Sequence, residues 1–250
     1  MKILALCTFL LLSIKGYSQH NLYTFNNGVL FPEKVIRLNF DAMKKSLPAG
    51  YDLKPVVYHK VVKKDTVINY ISFLSSKKTS AEDSSDLQFK YQQDSTFLLL
   101  NQQLPGFQLN DMDGVKVSSS TLLGKPTLIN FWATWCGPCI AEMPELSRLK
   151  EKYKDQMNFI SITENNADED NLKAFLENKD FNYQILDRGE AYKKKLKITA
   201  IPKNLFIDKK GVLRYIQANY PLSAEATPIP LESKDNFFTK IIEELIKETL

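Results

Sequence analysis

The stretch 126–133, Pro-Thr-Leu-Ile-Asn-Phe-Trp-Ala, limits the fold of this chain more than any other. It is a nearly unbroken apolar run, which reads as a strand covered on both faces. Such a strand needs a layer above and a layer below its sheet. The next segment, 136–153, supplies one of them as a helix, with Ile140, Met143, Leu146, Leu149 and Tyr153 on a buried stripe. Between strand and helix stand Thr134-Trp135-Cys136-Gly137-Pro138-Cys139. Two cysteines separated by two residues can close a small disulfide ring. A thiol at a helix start has its thiolate stabilised by unpaired backbone N–H groups and by the helix dipole. The junction therefore points to thiol–disulfide exchange.

The segments around it extend the pattern. Residues 157–162 read as a second buried strand, 168–178 as a helix, 183–186 as a short extended piece and 190–196 as another helix. Residues 204–208 and 212–216 form a hairpin around Lys209-Lys210-Gly211. The segment 233–249 is an amphipathic helix, with Phe237, Phe238, Ile241, Ile242, Leu245 and Ile246 on its apolar side. Upstream, 107–109 and 115–117 flank Asp111-Met112-Asp113-Gly114, a hairpin signal, and 118–123 suggests a helical turn. Strands alternating with helices, then a hairpin and a last helix, predict an α/β fold: a mixed central sheet with helices on both faces.

Residues 19–100 read as a smaller α+β module preceding the α/β domain at 101–250. Its helix spans 32–46, with Val35, Ile36, Leu38, Phe40 and Met43 among charges. Strands at 54–62 and 66–74 pair around Lys63-Lys64-Asp65. Residues 75–86 are rich in Ser, Lys, Asp and Glu and read as an exposed loop, and Leu87, Phe89 and Tyr91 alternate as on a half-buried strand. The module carries no chemical motif and there is no internal repeat; His59 reads as a histidine on a strand surface.

Residues 1–18 resemble a secretory signal: Lys2 is a short positive start, 3–14 is mostly apolar, and Gly16 and Ser18 suit cleavage after Ser18. Twelve residues are short for a membrane span, which needs about 20; membrane contact is expected only if the segment is retained. Cys7 lies inside the apolar run behind bulky Leu6 and is a weak lipidation signal. Removing Lys2 and Lys15 leaves 31 basic against 29 acidic side chains, a charge of +2 in place of +4. No basic patch is interleaved with aromatics, which argues against a nucleic-acid partner. Of three cysteines only Cys136 and Cys139 would remain. Half a zinc site or a structural link are the other readings of that pair. Zinc wants about four ligands, and the only histidines are His20 and His59. A two-residue spacer closes too short a loop for a global staple. Neither metal nor cofactor is expected.

The run from Phe131 to Cys139, continued by Ile140-Ala141-Glu142-Met143-Pro144, resembles the thioredoxin-fold family, and within it the exported thiol–disulfide reductases related to TlpA and ResA. The likeness covers 101–250 and leaves the N-terminal module outside. It implies a thioredoxin fold and a dithiol–disulfide cycle in which Cys136 attacks a substrate disulfide and Cys139 resolves the mixed disulfide. It implies that Ile201-Pro202 is a cis bond beside the cysteines, with the backbone of residue 201 open to a substrate peptide. It places Trp135 on an exposed rim and Trp132 under the site. Glu142, three residues after Cys139, is then a proton acceptor for the second step; its other reading is a solvated glutamate favoured by the helix dipole. Asn130 stands where many cytoplasmic thioredoxins carry a buried aspartate, so the acid–base role there is vacant. Lys203 and Asn204 depart from the threonine that often follows the proline. Pro144 should kink its helix. The expected partners are a disulfide-containing protein substrate and an upstream thiol donor, and the expected location is exported, in the periplasm or cell envelope. Disulfide donation or isomerisation, and a redox-switched adaptor acting through residues 20–100, are the alternatives.

Overall fold

The computed structural model describes residues 20–78, 87–223 and 227–248. The signal-like segment 1–18 and most of the 75–86 loop lie outside the described residues. The first sheet is built from β1 (His20–Thr24), β2 (Phe31–Pro32), β3 (Tyr51–Lys63), β4 (Thr66–Lys77) and β5 (Lys90–Tyr91), with α1 (Glu33–Ser46) between β2 and β3. Its strand order is β2-β1-β4-β3-β5. The β3–β4 hairpin turns at Lys64 and Asp65, with Lys64 left-handed at φ 54°. Ile36 and Phe40, one helical turn apart, pack α1 onto Tyr23, Leu53, Val57 and Ile71. Leu38 and Met43, apolar residues of the same helical pattern, are exposed. Leu38 lies two residues from both Ile36 and Phe40, which turns it to the opposite side.

The second body follows a 3-10 turn at Ser95–Leu99. A small hairpin, β6 (Gln108–Asn110) with β7 (Lys116–Ser118), closes on Asp111, whose carboxylate accepts the Asp113 and Val115 N–H groups at 3.0 and 2.9 Å. Then come β8 (Thr127–Trp132), α2 (Gly137–Tyr153), β9 (Asn158–Thr163), α3 (Leu172–Leu176), β10 (Gln184–Leu186), α4 (Glu190–Lys195), β11 (Lys203–Ile207), β12 (Leu213–Gln217) and α5 (Phe237–Lys247). The strand order is β10-β9-β8-β11-β12. β8 runs parallel to β9 and antiparallel to β11, and β9 runs parallel to β10. This is the thioredoxin arrangement expected from the sequence. All six residues of β8 are buried, as its unbroken apolar run requires.

Strand alternation sorts the core into two layers. Leu128 and Phe206 face α2 and α5, where they meet Leu146, Leu149, Phe238, Ile241, Ile242 and Leu245. Ile129, Phe131, Leu205 and Ile207 face the other way, onto Phe97, Leu100, Phe107, Tyr192 and Leu196. Each fully buried side chain of this size contributes roughly 1.5–3 kcal/mol. Phe97 and Leu100 thus join the second body's core although they precede its sheet. The first sheet leans on the same layer: Phe97 lies 6.2 Å from the Tyr58 ring and 5.7 Å from the Tyr70 ring. A second contact ties the Phe25–Asn26 turn to β12. Asn26 Nδ2 donates to the Ile216 carbonyl at 3.0 Å, and the Gln217 side-chain amide donates back to the Phe25 and Asn26 carbonyls.

Several elements differ from the sequence reading: the last helix starts only at Phe237, and the strand expected over 87–91 holds only for Lys90–Tyr91. The helix expected at 168–178 holds only for Leu172–Leu176: Asn171 before it is left-handed at φ 48° and Asp170 bonds back to the Asn166 N–H at 2.7 Å. β4 continues through Ser75–Lys77, because β3 offers it partners back to Tyr51. β1 has no strong periodicity of its own and exists through its parallel register with β4, Leu22 opposite Ile68. The α2 helix continues through Pro144 to Tyr153.

Candidate active site

Cys136 is the N-cap residue of α2, extended at φ −87° and ψ 95°. Gly137 and Pro138 open the helix, where a missing N–H and a fixed φ cost nothing. Cys136 and Cys139 are joined as a disulfide, with their Cα atoms 5.3 Å apart. The Cys139 N–H points at Cys136 Sγ at 3.3 Å. A thiolate at Cys136 would therefore receive a backbone N–H and the positive end of a helix of 17 residues.

A thiol between the end of a strand and the start of a helix is expected to be exposed. In the disulfide form Cys136 is 4% exposed and Cys139 is 1% exposed. The pair lies in an apolar nest with Trp132, Met143, Leu172 and Ile185, bordered by Met112, Ile140 and Ile201. What stands in the open is Trp135, 68% exposed, its indole N–H donating to Glu164 Oε1 at 3.1 Å. Lys193 pairs with the other oxygen of Glu164, which fixes that carboxylate. Trp132 is buried beneath the cysteines. The Ile201–Pro202 bond is cis. Ile201 is half-buried against the cysteine nest, and Pro202 is buried where β11 begins.

Behind the pair lies a polar network within the sheet. Glu142 is buried on α2, three residues past Cys139. Asn130 Nδ2 donates to Glu142 Oε1 at 2.9 Å and the Tyr220 N–H donates to Oε2 at 2.7 Å. Asn204 Nδ2 approaches both oxygens at 3.4 and 3.5 Å, bonds the Ala218 carbonyl at 2.6 Å, and its Oδ1 accepts from Asn130 at 3.0 Å. Burial pushes the Glu142 carboxyl up to about 8, against the three donors, which pull it down. A carboxyl titrating there can both take and return a proton near neutral pH. The solvated reading of Glu142 does not hold, since the residue is 5% exposed.

Of the residues singled out in the sequence, Cys136, Cys139 and Ile201 meet in one nest, with Trp135 on its rim, Pro202 next in chain and Glu142 behind. His59 lies apart from it, stacked on Phe97 at 6.1 Å. Tyr220 went unread because its contribution is a backbone N–H, which no side-chain pattern reveals. Glu164 could have been found as the acid at the end of the second buried strand. Among the described residues no three His, Cys, Asp or Glu side chains group to hold a metal.

A four-residue disulfide ring at a helix start, on a thioredoxin sheet, defines a class of dithiol–disulfide proteins. Comparison narrows it. The AhpC/TSA family model matches residues 100–216. The thioredoxin-like protein YneN of Bacillus subtilis (strain 168) is 33% identical over 117 residues, 46% of this chain and 69% of that protein. The thiol-disulfide oxidoreductase ResA of Bacillus cereus (strain ZK / E33L) is 30% identical over 119 residues, 47% of this chain and 69% of that protein. The thioredoxin domain of a thiol-disulfide oxidoreductase from Bacteroides vulgatus is 18% identical over 59% of this chain and 98% of its own, with a TM-score of 0.48. The chain belongs to the thioredoxin-like thiol–disulfide oxidoreductases.

Proposed function

We propose that this oxidoreductase is exported and works in the reducing direction on protein disulfides, with the roles divided as follows. The Cys136 thiolate attacks one sulfur of a substrate disulfide; that S–S bond breaks, a mixed disulfide forms, and the departing substrate thiolate takes a proton. Cys139 then loses its proton to Glu142 and attacks Cys136 Sγ. The mixed disulfide breaks, the second substrate thiol leaves, and the Cys136–Cys139 ring closes. The substrate gains two electrons, the protein dithiol loses them, and an external thiol donor restores it. Trp135, Ile201 and Pro202 receive the substrate chain, which pairs with the backbone at residue 201.

One observation carries this reading: a buried carboxyl, Glu142, sits one helical turn behind the inner cysteine, held by three donors and shifted to about 8. The closed ring is the state in which Glu142 has just received its proton, and a raised affinity suits that state. The leader-like segment 1–18 supports export to the periplasm or cell envelope. The division into a 19–100 module and a 101–250 catalytic domain accords with the two sheets. A Cys139→Ser variant should accumulate a disulfide-linked substrate through Cys136, seen as a reducible band on a non-reducing gel. Loss of that band in Cys136→Ser but not in Cys139→Ser is the expected pattern; trapping through Cys139 instead would reverse the assigned roles.

A further inference from the structure

Lys203 follows the proline turn directly, and its side chain is only 9% exposed. Lysine is almost never buried without a partner. Its place follows from alternation along β11: Asn204 and Phe206 face α2 and α5, whereas Lys203, Leu205 and Ile207 face the layer that the N-terminal module covers. There Lys203 Nζ meets Asp94 Oδ2 at 2.7 Å. Asp94 is itself held on three sides. Its N–H donates to the Tyr58 carbonyl of β3 at 3.1 Å, its Oδ1 accepts the Thr96 N–H at 2.9 Å, and its Oδ2 takes the lysine. Two residues on, the buried Thr96 hydroxyl donates to the Lys197 carbonyl at 3.2 Å.

Lys197 and Lys203 bracket the irregular segment 198–202 that carries Ile201 and Pro202. Asp94 and Thr96 therefore grip both ends of the segment that borders the cysteines. Phe97 anchors the grip in the second body's core, and Gln92 and Asp94 anchor it on β3 through the Val57 and Tyr58 carbonyls.

We infer that Asp94 and Thr96 are positioning residues: the N-terminal module sets the 198–202 segment, and through it the docking of an extended disulfide substrate. This deepens the reductase reading and rests on it. The module's place in the enzyme is then a brace for the substrate edge.

The test uses pre-reduced full-length protein in single turnovers, followed by tryptophan fluorescence, against two substrates. One is an extended peptide with a single internal disulfide; the other is a small non-peptide disulfide. Asp94→Asn should raise the half-saturating peptide concentration about tenfold and lower the peptide-to-small-disulfide rate ratio to match. The double variant Asp94→Asn/Lys203→Met removes the stranded charge, so it should regain thermal stability while its half-saturating concentration stays high. Three results overturn the inference: no change in Asp94→Asn, equal slowing of both substrates, or a double variant whose peptide binding returns together with its stability. If the wild type reduces neither substrate, the reductase reading fails and takes the inference with it. If it reduces both and only the variants behave otherwise, the inference alone is lost.

Discussion

Lys203 and Asn204 are neighbours in the chain, yet they serve opposite faces of the sheet. On the α2 side, Asn204 joins Asn130 and Tyr220 around a buried carboxyl that, among the described residues, meets neutral donors in place of a cation. On the module side, Lys203 is neutralised by Asp94. Both faces bury an ionisable group beside the site, and each meets the cost of burial differently. Glu142 meets it by holding its proton, so its charge changes within the working pH range. Lys203 meets it by pairing with Asp94, and the pair sets its position. The first arrangement suits proton transfer and the second suits holding a shape.

The contrast breaks first if the carboxyl is made unable to titrate. Glu142→Gln should slow closure of the Cys136–Cys139 ring by about a hundredfold or more, the range of general acid–base catalysis. It should also erase the rise of that step with pH toward about 8. Stopped-flow resolution of a preformed mixed disulfide reads both. If the rate and its pH profile stay as in the wild type, Glu142 is not the acceptor.

Stability offers the next contrast. The Glu142 carboxyl lies near 4.5 in the unfolded chain and about 8 in the folded oxidised protein. The folded state therefore holds the proton more tightly. Its stabilising effect is complete below about pH 4.5 and is lost as pH rises through about 8. The loss should be roughly 3–5 kcal/mol in denaturant titrations. Glu142→Gln should flatten that slope, and Lys203→Met should leave it in place. Lys203→Met should instead lower stability by about 3 kcal/mol at fixed pH, since it strands Asp94. A Lys203→Met protein as stable as the wild type would mean that the pair is not truly removed from water.

How much of this could be read in the sequence follows the same division. β8, α2 and α5 were legible because unbroken apolar runs and helical stripes are local signals. The cysteine pair, Trp135 and Glu142 were legible because they cluster within eight residues of one junction. The module was less so. β1 takes its form from β4, more than forty residues away, and the short helix Leu172–Leu176 was cut back by Asn171 and Asp170. The grip on the 198–202 segment joins residues about a hundred positions apart. Asp94 before Ser95-Thr96 was a readable cap signal, but nothing local says that its other oxygen meets Lys203. The departure from threonine after the proline was visible, and its reason was not.

The proposed function requires the Cys136–Cys139 pair to work as a reductant. Its reduction potential, read by equilibrating the protein against defined glutathione mixtures, tests this most directly. A value of about −270 mV, where thioredoxin lies, is the result expected of a reducing pair. A value of about −120 mV, that of a strong disulfide donor, would contradict it.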